Sequence, residues 1–332
     1  MIDLNWSQKK VFVTGAGGFI GSHLTEYLVK MGATVRAFVR YNSRGDIGLL
    51  SYLAKNTLAQ VDVTQGDLRD FYGVQKAVRG MDMVFHLGAL IAIPYSYIHP
   101  AEVVETNIQG SLNILLAARD HDISRVIHTS TSEVYGNALH VPIDEDHPLQ
   151  GQSPYSASKI GADKIAESFY CAYDLPVVTV RPFNTYGPRQ SARAVIPTII
   201  TQVLTQDKLY IGNLATRRDF TYVSDTVAGF IKAAEEDNVL GRVFNLGTGT
   251  DVTIQEIIDL VCKITGKQVP IIQEETRMRP EKSEVQRLLS DYNKAYQRLG
   301  WEPKVDFESG LRLTIDWIAK HLDAYHPGTY QK

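Results

Sequence analysis

Tyr155 and Lys159 stand four residues apart at the start of a predicted helix over 155–173, which puts both side chains on one helix face. A free tyrosine ionises near about 10, so a phenolate working near neutrality needs a field that lowers it by several units. The Lys159 ammonium is placed to supply such a field. Tyr-x-x-x-Lys is common by chance, so its meaning depends on its company. That company is Ser130-Thr131-Ser132-Glu133-Val134-Tyr135-Gly136, at the carboxyl end of a predicted strand, where open α/β sheets hold ligands. Thr131 can hydrogen-bond a substrate hydroxyl. Glu133 offers a carboxylate for proton transfer, although a solvated loop acid would read the same way.

The elements that must position these groups follow from periodicity. Val11-Phe12-Val13-Thr14 reads as a buried strand, and Ile20, Leu24, Tyr27, Leu28 and Met31 then recur at helical spacing. Further strands are predicted at 34–39, 59–63, 83–87, 125–131 and 177–181, with segments between them long enough for crossover helices. This predicts an α/β fold with a doubly wound parallel sheet of the Rossmann type. After Gly187-Pro188 the alternation is lost, and short strands (209–211, 243–246) mix with helices (226–236, 254–265, 307–322). The expected division is a dinucleotide-binding domain over 1–186 and a smaller α+β substrate lobe over 187–332, with some chain crossing between them. No glycine- or serine-rich linker separates the two, so they should pack together around a cleft.

The first strand runs directly into Thr14-Gly15-Ala16-Gly17-Gly18-Phe19-Ile20-Gly21 and a helix. Glycines there allow a tight turn and a close approach of diphosphate to the main chain, and the helix N-terminus offers unpaired N–H groups. Where an NAD-preferring fold commonly puts an acid after the second strand, the chain reads Arg40-Tyr41-Asn42-Ser43-Arg44, with no acid before Asp46. Two guanidiniums and a hydroxyl suit a 2′-phosphate, which favours NADP with NAD as the alternative. Arg40 and Arg44 could equally be solvated surface charges. Asp67, in Gly66-Asp67-Leu68, could accept from an adenine amino group. An oxidised nicotinamide held here would add to the field on Tyr155.

Composition narrows the partners. The chain has 332 residues, 44% apolar and 21% charged, with 34 Lys and Arg against 37 Asp and Glu for a formal charge of -3. It lacks the basic surplus of nucleic-acid or anionic-membrane binders, so an anionic ligand must be met by local charge. Residues 1–10 are polar and do not resemble a targeting signal, and the apolar stretch 83–94 is too short to span a membrane. Cys171 and Cys262 have neither CxxC spacing nor a histidine cluster, so no metal is expected and a reducing cytoplasm fits best. His86, after a buried strand, reads as structural.

Six motifs in order, Thr14-Gly-x-x-Gly-Phe-Ile-Gly21, His86-Leu-Gly-Ala89, Ser130 to Gly136, Tyr155-x-x-x-Lys159, Arg181-Pro-Phe-Asn-Thr-Tyr-Gly-Pro188 and Arg218-Asp-Phe-Thr-Tyr222, resemble the extended short-chain dehydrogenase/reductases over nearly the whole chain. The resemblance implies a nicotinamide dinucleotide held by Gly15, Gly18, Phe19, Ile20, Gly21, Leu68, Leu87 and Ala89. It also implies a nucleotide sugar in the C-terminal lobe. Asn184 would then hold a substrate phosphate or sugar, and Arg218 and Arg279 would grip the diphosphate and nucleotide. Arg193, in the 187–197 stretch, is carried over as a further substrate contact. Arg279-Pro280 departs from the family pattern, because Glu281-Lys282 follow in place of the usual Gly-Asp.

Glu133 separates the family's reactions. The 4-epimerases usually lack this carboxylate, whereas 4,6-dehydratases need it to take the C5 proton of a 4-ketone before water leaves C6. Many dehydratases carry an Asp where Ser132 stands. Thr131-Ser132-Glu133 is instead similar to the GDP-mannose 4,6-dehydratases, in which one Glu serves as both base and acid. The same motif resembles UDP-glucuronate decarboxylases, which normally carry the acid that strand two lacks here. The stretches 38–44, 151–163 and 187–197 resemble soluble NDP-N-acetylglucosamine 4,6-dehydratases of legionaminic-type pathways, and that is the expected activity. Intact Tyr155, Lys159, Thr131 and Glu133 argue against a non-catalytic NADP-binding sensor. The family commonly pairs two helices per subunit, here 97–118 and 155–173, in a four-helix dimer interface, so a homodimer is expected.

Overall fold

Val11, Phe12 and Val13 are all fully buried, as a strand covered on both faces requires, and they form the centre of β1 (Lys10–Thr14). β2 (Thr34–Arg40), β3 (Val61–Gly66), β4 (Met83–His86), β5 (Arg125–Thr129) and β6 (Val177–Pro182) complete the predicted set. The computed structural model describes residues 5–325. In it these strands form one parallel sheet whose order places β4, β5 and β6 on one side of β1, and β2 and β3 on the other. The chain therefore reverses its winding beside β1, and the cleft at the carboxyl ends of β1 and β4 is where such sheets take ligands. The predicted Rossmann sheet is present.

One strand is placed differently from its expected position. Val243–Leu246 pairs in parallel with β6 as the outer strand of the large sheet instead of belonging to the smaller lobe. The Val223–Glu235 helix, which starts three residues before the expected 226, packs on the first helix (Phe19–Lys30), so the chain returns to the Rossmann layer after residue 187. The smaller lobe is built around Arg217–Tyr222. This strand pairs antiparallel with Asp251–Thr253 and in parallel with Asn184–Tyr186 and Arg287–Leu288. A two-stranded patch, Leu209–Ile211 with Ile271–Gln273, lies beside it.

The helix expected over 97–118 is interrupted. Ile93–Ile98 ends before Pro100, whose ring and missing N–H cannot continue a helix, and Pro100–Val104 restarts there. A π-helical turn, Glu105–Gln109, then leads into Gly110–Asp120. The turn aims the buried Asn107 inward, where it donates to Leu90 O at 3.0 Å and Ser158 Oγ at 2.9 Å and accepts from Leu90 N at 2.8 Å. The predicted 155–173 helix spans Pro154–Tyr173 behind a Ser153–Ser156 capping box with Pro at its first turn. Among the described residues no helix is long and apolar enough to cross a membrane, and no His, Cys, Asp and Glu group is arranged to hold a metal.

Candidate active site

The turn after β1 is fitted to a ligand that approaches the backbone. Gly15 has φ +65°, and a Cβ on it would lie 2.9 Å from the Gly88 backbone; one on Gly21 would overlap the Gly15 carbonyl. The first helix starts at Phe19 behind Gly18, which makes no side-chain cap, so the N–H groups of Phe19, Ile20 and Gly21 stay free for phosphate oxygens. Thr14 Oγ1 accepts from Gly88 N at 2.9 Å and pairs with His86 Nδ1 at 2.8 Å, locking the β1 and β4 turns together. His86 is structural in this arrangement, and burial holds its pKa well below the ordinary value. A cleft lined by Phe38, Arg40, Asp67, Leu68, Gly88 and Ala89 continues from this turn, and Leu87, next to Gly88 in the chain, is half-buried against the core. The residues present fit a dinucleotide.

The groups beyond β2 and β3 are partly engaged with neighbours. Arg40 Nη2 donates to Glu102 Oε1 at 3.2 Å, and Glu102 also accepts from the Tyr95 hydroxyl. Ser43 and Arg44 are exposed on a turn organised by the Asn42 side chain. Asp67 is held by a two-pronged Arg69 contact, Nε to Oδ1 at 3.0 Å and Nη2 to Oδ2 at 2.6 Å, and that guanidinium keeps its carboxyl below the usual range. Neither Glu102 nor Arg69 is signalled by any short sequence motif.

Tyr155, Lys159, Thr131 and Glu133 meet at the ends of β5 and the Pro154–Tyr173 helix. Lys159 Nζ is buried and donates to Thr129 O at 2.6 Å; burial pulls its pKa down to about 8, against which the Asp163 carboxylate acts. The Tyr155 pKa is raised, the opposite of the sequence-based expectation. Burial is the main cause, the negative charges of Glu133 and Asp163 add to it, and a hydrogen bond with the Thr131 side chain only partly offsets them. With its ammonium turned to a backbone carbonyl, Lys159 alone does not overcome the loss of water around the phenol. Thr131 Oγ1 caps the Ser132–Tyr135 turn by accepting from Glu133 N at 3.2 Å. Ser132 is buried, and the Glu133 side chain is 12% exposed.

The smaller lobe brings its arginines to this carboxylate. Arg279 Nη1 lies 3.7 Å from Glu133 Oε1 and 3.9 Å from Glu284 Oε1, and Arg218 Nη2 lies 3.5 Å from the same Glu284 oxygen. Two cations and two carboxylates therefore share one partly buried corner. Arg279 takes its place there despite the altered residues that follow it. Asn184 Nδ2 is buried without a hydrogen-bond partner, a donor still to be satisfied. Arg193 is exposed and outside this corner, and its charge is felt at Tyr95.

A sequence profile of the family described as GDP-mannose 4,6 dehydratase matches residues 12–314. The chain belongs to this family. It is 31% identical over 322 residues to the dTDP-glucose 4,6-dehydratase of Streptomyces griseus, covering 96% of both chains. A solved dTDP-glucose 4,6-dehydratase from Streptomyces venezuelae with NAD bound superposes with a TM-score of 0.83 at 28% identity, over 96% of this chain and 99% of that one. The UDP-glucose 4-epimerase of Thermotoga maritima, solved with UDP-glucose, gives 0.84 at 30% identity over 94% and 99%.

Family membership makes the chain an extended short-chain dehydrogenase/reductase of the nucleotide-sugar 4,6-dehydratase and epimerase kind. Both reaction types share its fold at similar identity, so the reaction must be argued from the site. The two carboxylates at the arginine corner, Glu133 and Glu284, differ in how they could have been found. Glu133 stands in a motif, whereas Glu284 meets Arg218 only because Arg287–Leu288 pairs with Arg217–Tyr222.

Proposed function

We propose that this family member is a nucleotide-sugar 4,6-dehydratase acting on an NDP-N-acetylglucosamine. The observation that carries the reading is the Glu133 carboxylate, whose charge is felt at Tyr155 on one side and at Arg218 on the other. A sugar ring reaching from the diphosphate grip toward Tyr155 passes Glu133. A bound nicotinamide dinucleotide supplies the reversible oxidation at C4 and the reduction at C6. Tyr155 takes the C4 hydroxyl proton, Thr131 orients that hydroxyl, and Lys159 supplies the positive charge that the buried phenol requires. Glu133 removes the C5 proton, which the C4 ketone makes acidic, and returns it to the departing C6 hydroxyl as water; as hydride returns to C6, a solvent-exchangeable proton restores C5–H, balanced by the one that Tyr155 took from the C4 hydroxyl. Ser132 stands where many relatives place a separate acid, so the reading gives both proton transfers to Glu133. Asn184, Arg218 and Arg279 hold the diphosphate and sugar, with Arg193 at the rim.

In this reading Gly15, Gly18, Phe19, Ile20 and Gly21 bind the cofactor diphosphate, Asp67, Leu68, Leu87 and Ala89 line its path, and Arg40, Ser43 and Arg44 select NADP over NAD. The expected division, a dinucleotide-binding domain over 1–186 and a substrate lobe over 187–332, is kept for the described residues 5–325, with Val223–Glu235 and Val243–Leu246 lent by the second to the Rossmann layer. The exposed Ile98 and Val104 support a homodimer through the 93–120 and 154–173 helices, and the free Cys171 and Cys262 support a reducing cytoplasm. The test is incubation of the purified protein with UDP-N-acetylglucosamine, GDP-N-acetylglucosamine, GDP-mannose and UDP-glucuronate, with NADP and NAD compared, followed by product masses. Loss of water from an N-acetylglucosamine nucleotide is expected. Loss of carbon dioxide would make the protein a decarboxylase, an unchanged mass with inverted C4 an epimerase, and bound cofactor without turnover a sensor.

A further inference from the structure

Residue 163 stands one helical turn beyond Lys159 and two beyond Tyr155, on the same stripe of the Pro154–Tyr173 helix. It closes the 151–163 stretch, which gave it no role, yet Asp163 makes four hydrogen bonds with its side chain. Oδ1 faces His128 Nε2 at 3.0 Å, and Oδ2 accepts from Ser130 Oγ at 2.7 Å and from Arg181 Nη2 at 3.0 Å and Nε at 3.3 Å. A carboxylate only accepts, so the Nε2 of His128 carries the proton. Arg181 in turn donates from Nη1 to Tyr135 OH at 3.0 Å, and that hydroxyl donates to Asn245 Oδ1 at 2.7 Å. The network is buried throughout and ties β5, β6 and the outer Val243–Leu246 strand to the helix that carries Tyr155 and Lys159.

We propose that Asp163 is a positioning residue for the catalytic pair: it is the buried counter-charge of the Lys159 ammonium, and through Ser130 it clamps the Thr131–Glu133 segment against the Tyr155 helix. The inference rests on the roles given above to Tyr155 and Lys159. Around the pair, Asp163 on the same helix acts on Lys159, the Lys159 charge is felt at His128 and His86 from β5 and β4, and Glu133 from the turn after β5 is felt at Tyr155. Arg181 from β6 pairs with Asp163 at 3.0 Å and so neutralises part of the counter-charge that Lys159 feels. Burial would raise the Asp163 pKa, but the His128 hydrogen bond, Arg181 and Lys159 hold it down to about 2, so its charge is present at all working pH values. Both histidines have pKa values lowered by burial.

Opposite signs distinguish this role from a merely structural one. Asp163→Asn removes the counter-charge, and Arg181→Gln removes the guanidinium that partly neutralises it. The Lys159 titration is followed in ε-13C-lysine-labelled protein, assigned by the signal lost in Lys159→Arg, and in the alkaline limb of kcat/KM. We expect D163N to move both down by about one pH unit and R181Q to move both up. Ser130→Ala leaves every charge in place and tests the clamp; it should lower kcat at least threefold with the limb unmoved. Limbs that stay in place in D163N and R181Q, limbs that shift the same way, or an S130A variant with full kcat would overturn the proposal. If one charge variant fails to fold, the sign of the other decides. If the protein turns over no nucleotide sugar, the catalytic reading fails while the lysine titration still tests the counter-charge.

Discussion

Glu133 and Arg279 place Oε1 and Nη1 3.7 Å apart, the first carried by the turn after β5 and the second by the segment leading into Arg287–Leu288. The proposed base thus lies beside the guanidinium that the proposed reading gives to substrate phosphate. In that reading a diphosphate drawing Arg279 to itself would also release the carboxylate toward the sugar ring, joining binding to chemistry at one guanidinium.

Arg279→Ala should therefore raise KM more than it lowers kcat. Loss of one charge-assisted hydrogen bond costs about 1.5–3 kcal/mol, which is roughly ten- to a hundredfold in affinity. Steady-state kinetics, with nucleoside diphosphate as a competitive ligand, measures it. An unchanged KM would remove Arg279 from the substrate site.

The rate should fall on the alkaline side near pH 8. Lys159 is a base whose pKa burial lowers to about 8, so its charge is complete below that value and disappears as pH rises through it, well before an exposed lysine would titrate. A kcat/KM profile that stays flat to pH 10 would show that the ammonium is not required.

Gly15→Ala should weaken cofactor binding at least tenfold and lower the melting temperature by several degrees. The new Cβ meets the Gly88 backbone at 2.9 Å, and φ +65° is itself strained for alanine. Cofactor titration and thermal melting read the two effects separately. Wild-type affinity would place the diphosphate elsewhere.

Glu102→Gln should raise the preference for NADP over NAD. The variant frees Arg40 from its exposed ion pair, and pairs of this kind are worth up to about 1 kcal/mol, so the shift should be up to roughly fivefold. Fluorescence titration with both reduced cofactors measures the ratio. A lower ratio would mean that Glu102 orients Arg40 for the phosphate instead of withholding it.

The sequence displayed whatever is written in local period. Strand β1, the glycine turn and the amphipathic first helix were legible because a continuous apolar run adjoins glycines and a period of 3.6 there, and the Ile254–Thr265 helix matches its predicted bounds, with its own Thr253–Glu256 capping box. Pairing partners are not local. The bounds of Val243–Leu246 were legible, but its place beside β6 depends on contacts with residues some sixty positions away. The same holds for the site. Tyr155, Lys159 and Glu133 stand in motifs, while Asp163, Glu102 and Glu284 acquire meaning only through Arg181, Arg40 and Arg218. The Tyr155 pKa was misjudged in direction because spacing reveals the nearby ammonium but not the burial that outweighs it.

The central claim, that Glu133 takes a proton from C5 of the sugar, is tested most directly by turnover in heavy water with NMR and mass analysis of the product. The account predicts one deuterium at C5 of a product that has lost water, and neither event with Glu133→Gln, which should still bind cofactor. A wild-type product of unchanged mass with no deuterium at C5, or full dehydration by the Gln variant, would contradict it.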